Sequence, residues 1–302
     1  QYDQPERPFR GAAVTLDYRH ESETWNWSVS GSDLGPHLRV DTGFIPRVDT
    51  RSGGASVERV VWGSPEGRLI RMSFGATGNR TENHDGLLTD DFEDVFFRWD
   101  GPLQSSVSVD VSKGREFFNG VTYDQTRESA SWSMTPAGGL SLSLSGDAGD
   151  EVDYDNSRPG WGARIIPGVS FKIGRHLRAN LDDTYETLSV DGGRLFRANL
   201  AQARLAWQFN VRAMARAIVQ YTDIRRRLSL YTGVCSPSSP PPCDLPQEVE
   251  KTLFTQLLLS YKVNPQTAIY LGYSDDRLGE QDVPLQQSDR TVFFKVGYAW
   301  LP

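Results

Sequence analysis

Large apolar residues alternate with small or polar ones along most of this chain. The pattern is clearest near the C-terminus, where Val292, Phe294, Val296, Tyr298 and Trp300 share one face and Phe293, Lys295, Gly297 and Ala299 share the other. A period of two means an extended strand with one apolar side. Further back, Ile269, Leu271 and Tyr273 alternate with Ala268, Tyr270 and Gly272, and Leu253, Leu257, Leu259 and Tyr261 share a face. Ala213, Ala215, Ala217, Val219 and Tyr221 oppose Arg212, Arg216 and Gln220, and Ala201, Ala203, Leu205, Trp207 and Phe209 oppose Gln202, Arg204 and Gln208. The same code marks Leu177–Leu181, Ala163–Phe171, Leu140–Leu144, Val107–Val111, Val95–Trp99, Ile70–Phe74, Val60 with Trp62, Trp25–Val29 and Val14–Tyr18, with one more strand around Ser131–Met134. The tally is about fifteen strands, many near the roughly 9–11 residues that cross a bilayer when tilted.

The connections follow a rhythm. Short turns, such as Glu21-Ser22-Glu23, Gly101-Pro102, Gly174-Arg175 and Asn264-Pro265, alternate with longer polar stretches at 33–55, 76–90, 114–125, 147–159, 224–249 and 276–288. Only Asp191-Gly192-Gly193 breaks it. Short turns on one side and long loops on the other are the habit of bacterial barrels, with the short turns periplasmic. The fold class expected is therefore all-β, an antiparallel transmembrane β-barrel occupying residues 1–302, in the bacterial outer membrane. A terminal aromatic strand fits this reading, with Gly297, Tyr298 and Trp300 as the signal read by the barrel-assembly machinery. An odd strand tally with a periplasmic C-terminus would start the first strand outside the cell. Either one strand is miscounted or the chain is completed by an upstream segment or a partner chain, and the second is the expectation.

Composition changes the picture only at the margins. Mean hydropathy is −0.48, yet a membrane strand hides its apolar half among lumen-facing polar residues, so the value does not argue for solubility. The net charge of −7, with no basic run, argues against nucleic acid as a partner. Cys235 and Cys243 flank a Ser/Pro segment, and a disulfide stapling the loop 224–249 is expected, with a metal site as the weaker alternative.

Three strings, RVDTGFIPRVDTR (39–51), LLLSYKVNPQTAIYLGYSDDR (257–277) and SDRTVFFKVGYAW (288–300), resemble the C-terminal barrel of bacterial outer-membrane proteins that carry an N-terminal carbohydrate-binding family-9-like domain. The resemblance implies a longer precursor and a barrel of unassigned function. It brings no sugar site and no catalytic residue to this chain.

Charged side chains cannot face hydrocarbon without a cost of roughly 2–4 kcal/mol each at the midplane, so the charged rows must face inward. They include Arg71, Arg98, Arg164, Arg178, Arg204 and Arg216, with Asp110, Asp182 and Glu186 among them. Such arginines either select anionic solutes or fill the interior as ion-pair ladders. Arg39, Asp41, Arg47 and Asp49, around Gly43-Phe44-Ile45-Pro46, are candidates for an infolded pore loop, or else form a self-paired outer loop. The acidic stretches at 90–94 and 147–155 would hold calcium or simply be solvated. The tryptophans read as interface girdles, with a sugar-stacking track as the sharper alternative. The four histidines are scattered and no GxSxG occurs, so the chain is not read as an enzyme and no cofactor or metal is assigned. Three functions stay open: a channel for small polar, acidic or saccharide solutes, a barrel that anchors a partner, and an embedded hydrolase. Lipid bilayer and lipopolysaccharide are the partners any of them would meet.

Overall fold

The computed structural model describes residues 10–39, 45–231, 246–281 and 283–299. Asp41, Cys235, Cys243 and Trp300 lie outside these residues, and with them the expected disulfide. The fold is all-β. Among the described residues fifteen antiparallel strands pair in strict chain order in one sheet: β1 (Ala13–Glu21), β2 (Trp25–Leu34), β3 (Thr50–Trp62), β4 (Arg71–Glu82), β5 (Leu88–Gly101), β6 (Ser105–Phe118), β7 (Val121–Ala137), β8 (Leu140–Asp153), β9 (Arg158–Ile173), β10 (Leu177–Val190), β11 (Gly193–Gln208), β12 (Ala213–Arg226), β13 (Val249–Asn264), β14 (Thr267–Glu280) and β15 (Gln286–Tyr298). The chain divides into two compact units, residues 1–102 with 107–129, and residues 103–106 with 130–302.

In the first unit Trp27 stands opposite Val57, Val57 opposite Ala76, and Ala76 opposite Val95. Side chains that are directly opposite point to the same face. That face carries Leu16, Tyr18, Trp27, Val29, Val57, Phe74, Val95 and Phe97, all exposed. In the second unit Leu144 faces Pro167, Leu181 faces Val169 and Ala203, and Leu257 faces Tyr273. Here Leu144, Ile165, Leu181, Leu205, Trp207, Leu257, Leu271 and Phe294 are exposed together. An apolar surface this continuous does not persist in water; it is what a spanning strand presents to acyl chains.

The opposite face is polar in both units. Ser28 bonds Ser56 at 2.7 Å and Ser32 bonds Ser52 at 2.8 Å in the first; Ser170 donates to Asn180 at 2.6 Å and Gln202 to Gln220 at 2.7 Å in the second. Among the described residues the buried apolar side chains are Val60, Tyr123, Val152, Ala179, Leu188 and Leu195.

Two sequence expectations are corrected. Most of the supposed long loops are strand: β4 runs to Glu82 and β5 starts at Leu88, a two-residue turn joins β6 to β7, and residues 154–157 join β8 to β9. These extensions carry polar residues on both faces, so they lack the apolar alternation that marks a strand within lipid. Asn119 and Gly120 close the β6–β7 hairpin with φ of 49° and 84°, the positive-φ pair that a twisted hairpin requires. Only the connections 35–49 and 227–248 stay long. The second correction concerns Val60 and Trp62, whose positions share the polar face of β3 with Ser52, Ser56 and Glu58, because Val57 is the residue opposite Trp27. Val60 is buried, and Trp62 donates its Nε1 to Glu23 O at 2.7 Å.

Candidate functional site

The polar face of the second unit is built by alternate residues of β8–β14. Near the turn end it gathers Lys172 on β9, Arg178 on β10, Arg204 on β11 and Arg216 on β12. Arg178 stands opposite Lys172 on one side and Ala206 on the other, Ala206 stands opposite Arg216, and Arg204 lies one inward step above Ala206. Direct neighbours across a ladder lie about 5 Å apart and diagonal ones about 7–8 Å, so the four cations form one patch. Arg216 donates to Gln256 Oε1 at 3.3 Å. Lys172, Arg178 and Arg204 make no side-chain hydrogen bond or ion pair among the described residues. Asp182, opposite Gln202, is the carboxylate nearest to Arg204 in register.

Toward the loop end the charges are matched. Arg164 meets Asp147 at 2.8 Å, and Arg226 meets Glu250 at 3.1 Å. Asp153 is the best-held acid: its side chain is 2% exposed, receives Arg158 Nε at 2.8 Å, and also accepts from Asn156 Nδ2. Arg158 also donates to the carbonyl of Leu230, tying the start of the long connection to the β8–β9 turn. Tyr231 sits beside these groups, where burial pushes its phenol above the usual tyrosine range. Between the two ends lies a cavity of about 560 Å³, lined by Ser141, Ser143, Ser170, Asn180 and Asp182 among others.

The first unit presents a balanced face. Arg71 reaches Glu58 at 3.4 Å and Asp100 at 3.6 Å, and Asn26 donates to Glu58 at 2.9 Å. Arg98 lies over the ring of Phe96, 4.4 Å from its centroid. A polar cavity of about 540 Å³ beside Arg19, Glu21, Asn26 and Glu58 shares this face. At the loop end of the same unit, His84 bridges Asp49 (2.7 Å) and Asp33 (2.9 Å), and Arg47 holds Asp90 at 2.7 Å. Those bonds fasten residues 45–49 to the rim.

Every arginine of the inward rows named from sequence occupies the polar face of its unit, as does Asp182. Lys172 was missed: β9 was read for its apolar members Ala163, Ile165, Val169 and Phe171, and the lysine lies past the last of them. Parity with Phe171 would have found it.

An antiparallel all-β meander with one face apolar and exposed, the other polar and charged, defines the class of transmembrane β-barrels. Among solved structures, the chain is similar to the outer-membrane expressed OmpT of Vibrio cholerae (TM-score 0.37, 10% identity, covering 94% of this chain and all of that one). It is also similar to the anion-selective porin from Comamonas acidovorans (TM-score 0.35, 10% identity, 96% of each chain). No family model matches the chain, and no curated protein matches it in sequence.

Proposed function

We propose that the chain is a bacterial outer-membrane barrel that passes small polar solutes and prefers anions. One observation carries the reading: Lys172, Arg178, Arg204 and Arg216 form a patch on the polar face, and among the described residues only the Arg216 side chain of the four finds a hydrogen-bond partner. A structural ion-pair ladder would match these cations with carboxylates, as Asp147 matches Arg164. Unmatched cations beside a low-dielectric wall raise the local concentration of anions, and guanidinium rows are the usual filter for acidic solutes. The serine- and asparagine-lined cavity next to the patch offers hydrogen bonds to a hydroxylated solute.

Reversal potentials in planar bilayers under a KCl gradient test the proposal. The wild type should favour chloride, and R178Q/R204Q/R216Q should bring the permeability ratio close to one. A ratio unmoved by the substitutions refutes the assignment. No current at all favours a barrel that anchors a partner chain or the carbohydrate-binding domain that the resemblance implies.

A further inference from the structure

On the outward face of the second unit the apolar code of β10 is interrupted near mid-strand. Along β10 the face reads Leu177, Ala179, Leu181, Asp183, Tyr185, with Asp183 opposite Ala201. Asn199, the next outward residue on β11, donates to Asp183 Oδ2 at 3.2 Å. Oδ1 is buried and has no hydrogen-bond partner. A buried carboxylate oxygen left unpaired costs about 1–3 kcal/mol or more, and because Asp183 lines the groove described next, a small turn of its side chain toward a donor seated there removes that cost.

Beneath Asp183 the small side chains of Ala201 and Ala203 sit between larger neighbours. Ala203 is opposite Leu181 on one side and Val219 on the other, and Ala201 is opposite Tyr221. The result is a groove of about 430 Å³ with Pro167, Leu181, Val219 and Tyr221 along it and Asp183 at one end. Its lining is apolar apart from that end. Above it, Arg197 and Arg225 stand directly opposite each other on the same outward face, both exposed. Arg225 gives two bonds to Asp223, at 3.1 and 3.2 Å; Arg197 makes no hydrogen bond or ion pair among the described residues. Like charges opposed across a ladder destabilise it; Asp223 offsets part of that charge, but Lys251 stands opposite Asp223, so three cations share one carboxylate and a further anion removes the rest of the penalty.

In order from the bilayer outward, the face offers a slot for a hydrocarbon chain, an acceptor that lacks a donor, and a guanidinium pair. We propose that this is a binding site for a phosphorylated glycolipid of the lipid A type. One acyl chain fills the groove, a hydroxyl or amide N–H near the sugar donates to Asp183 Oδ1, and the sugar phosphate lies between Arg197 and Arg225. A diacylglycerol phospholipid has esters at the middle level, which accept and cannot donate, so it leaves Asp183 unsatisfied. The inference rests on the bilayer-spanning reading above.

The test uses the full chain in phosphatidylcholine nanodiscs, titrated with lipid A and, separately, with phosphatidylglycerol of matched chain length, with bound lipid counted by native mass spectrometry. Lipid A should bind at least tenfold more tightly than phosphatidylglycerol, a gap of about 1.4 kcal/mol. R197Q/R225Q should weaken lipid A binding tenfold or more. A203F, which fills the groove and leaves every charge in place, should do the same, and D183N should fall between these and wild type. Equal binding of the two lipids, or lipid A binding indifferent to both R197Q/R225Q and A203F, overturns the site while leaving the barrel intact. A chain that fails to enter the nanodisc overturns the bilayer-spanning reading itself.

Discussion

Neighbouring residues on β8 allow a direct test of which face meets lipid. Leu144 is 46% exposed, lies opposite Pro167, and sits midway along the outward run Leu140, Leu142, Leu144, Gly146, Ala148. Ser143 points the other way, into the polar cavity shared with Asn180 and Asp182. If the apolar face lies in hydrocarbon, Leu144→Arg places a guanidinium near the bilayer midplane at a cost of roughly 2–4 kcal/mol. That lowers the folding equilibrium constant about 30- to 1,000-fold, at about 1.4 kcal/mol per decade. Ser143→Arg puts the same side chain where polar groups and a carboxylate receive it, and should cost less than about 0.5 kcal/mol, the usual range for a solvated site. Urea-dependent folding into phosphatidylcholine vesicles, followed by tryptophan fluorescence, reads both values from midpoints at constant slope. If the two substitutions cost the same, the outward face is not in lipid and the argument built on it fails.

Other perturbations have equally definite outcomes. Asp153→Ala strands Arg158 in a half-buried site and should cost about 3–5 kcal/mol; the double variant D153A/R158A should lose less than the sum of the single losses, as measured in the same urea assay. Gly120→Val, at φ 84°, should cost about 1–2 kcal/mol for forcing a branched residue into left-handed geometry, with the urea midpoint falling accordingly. His84→Leu removes the bridge between Asp33 and Asp49, so trypsin should cut at Arg47 or Arg51 in intact proteoliposomes faster than in wild type. Tyr231, whose folded-state phenol titrates above its unfolded value of about 10, adds stability that is constant below pH 10 and is lost as pH rises through the folded value. Absorbance at 295 nm should therefore show a late-titrating tyrosine that Tyr231→Phe abolishes.

The alternation that reveals this fold is strongest where lipid demands it. Val292, Phe294 and Val296, or Leu257 and Leu259, stand out because a polar group on that side is costly in hydrocarbon. Beyond the bilayer the constraint loosens: in residues 114–125 the adjacent Phe117 and Phe118 fall on opposite faces and no regular alternation survives, so the segment reads as loop, yet it forms a hairpin around Asn119–Gly120. Val60 and Trp62 misled for the opposite reason, since each finds its own cover or hydrogen bond on the polar face. The inward arginines were legible from parity alone. Their partners were not, because pairing depends on register between strands: Arg164 finds Asp147 across a hairpin, while Arg178 and Arg204 pair with no carboxylate among the described residues. Asp183 was overlooked because one acid in an otherwise apolar row looks like noise until the groove beneath it is visible.

Strands of 14 to 17 residues, such as β6 to β9, outrun the apolar band and end in turns of two to four residues at 119–120 and 154–157. Their tips are stiff posts whose amides are already paired nearly to the end. A phage, an antibody or another protein landing there finds an ordered surface and loses little conformational entropy to it. A peptide epitope spliced in at Asn119–Gly120 would stand clear of the membrane on a rigid stalk.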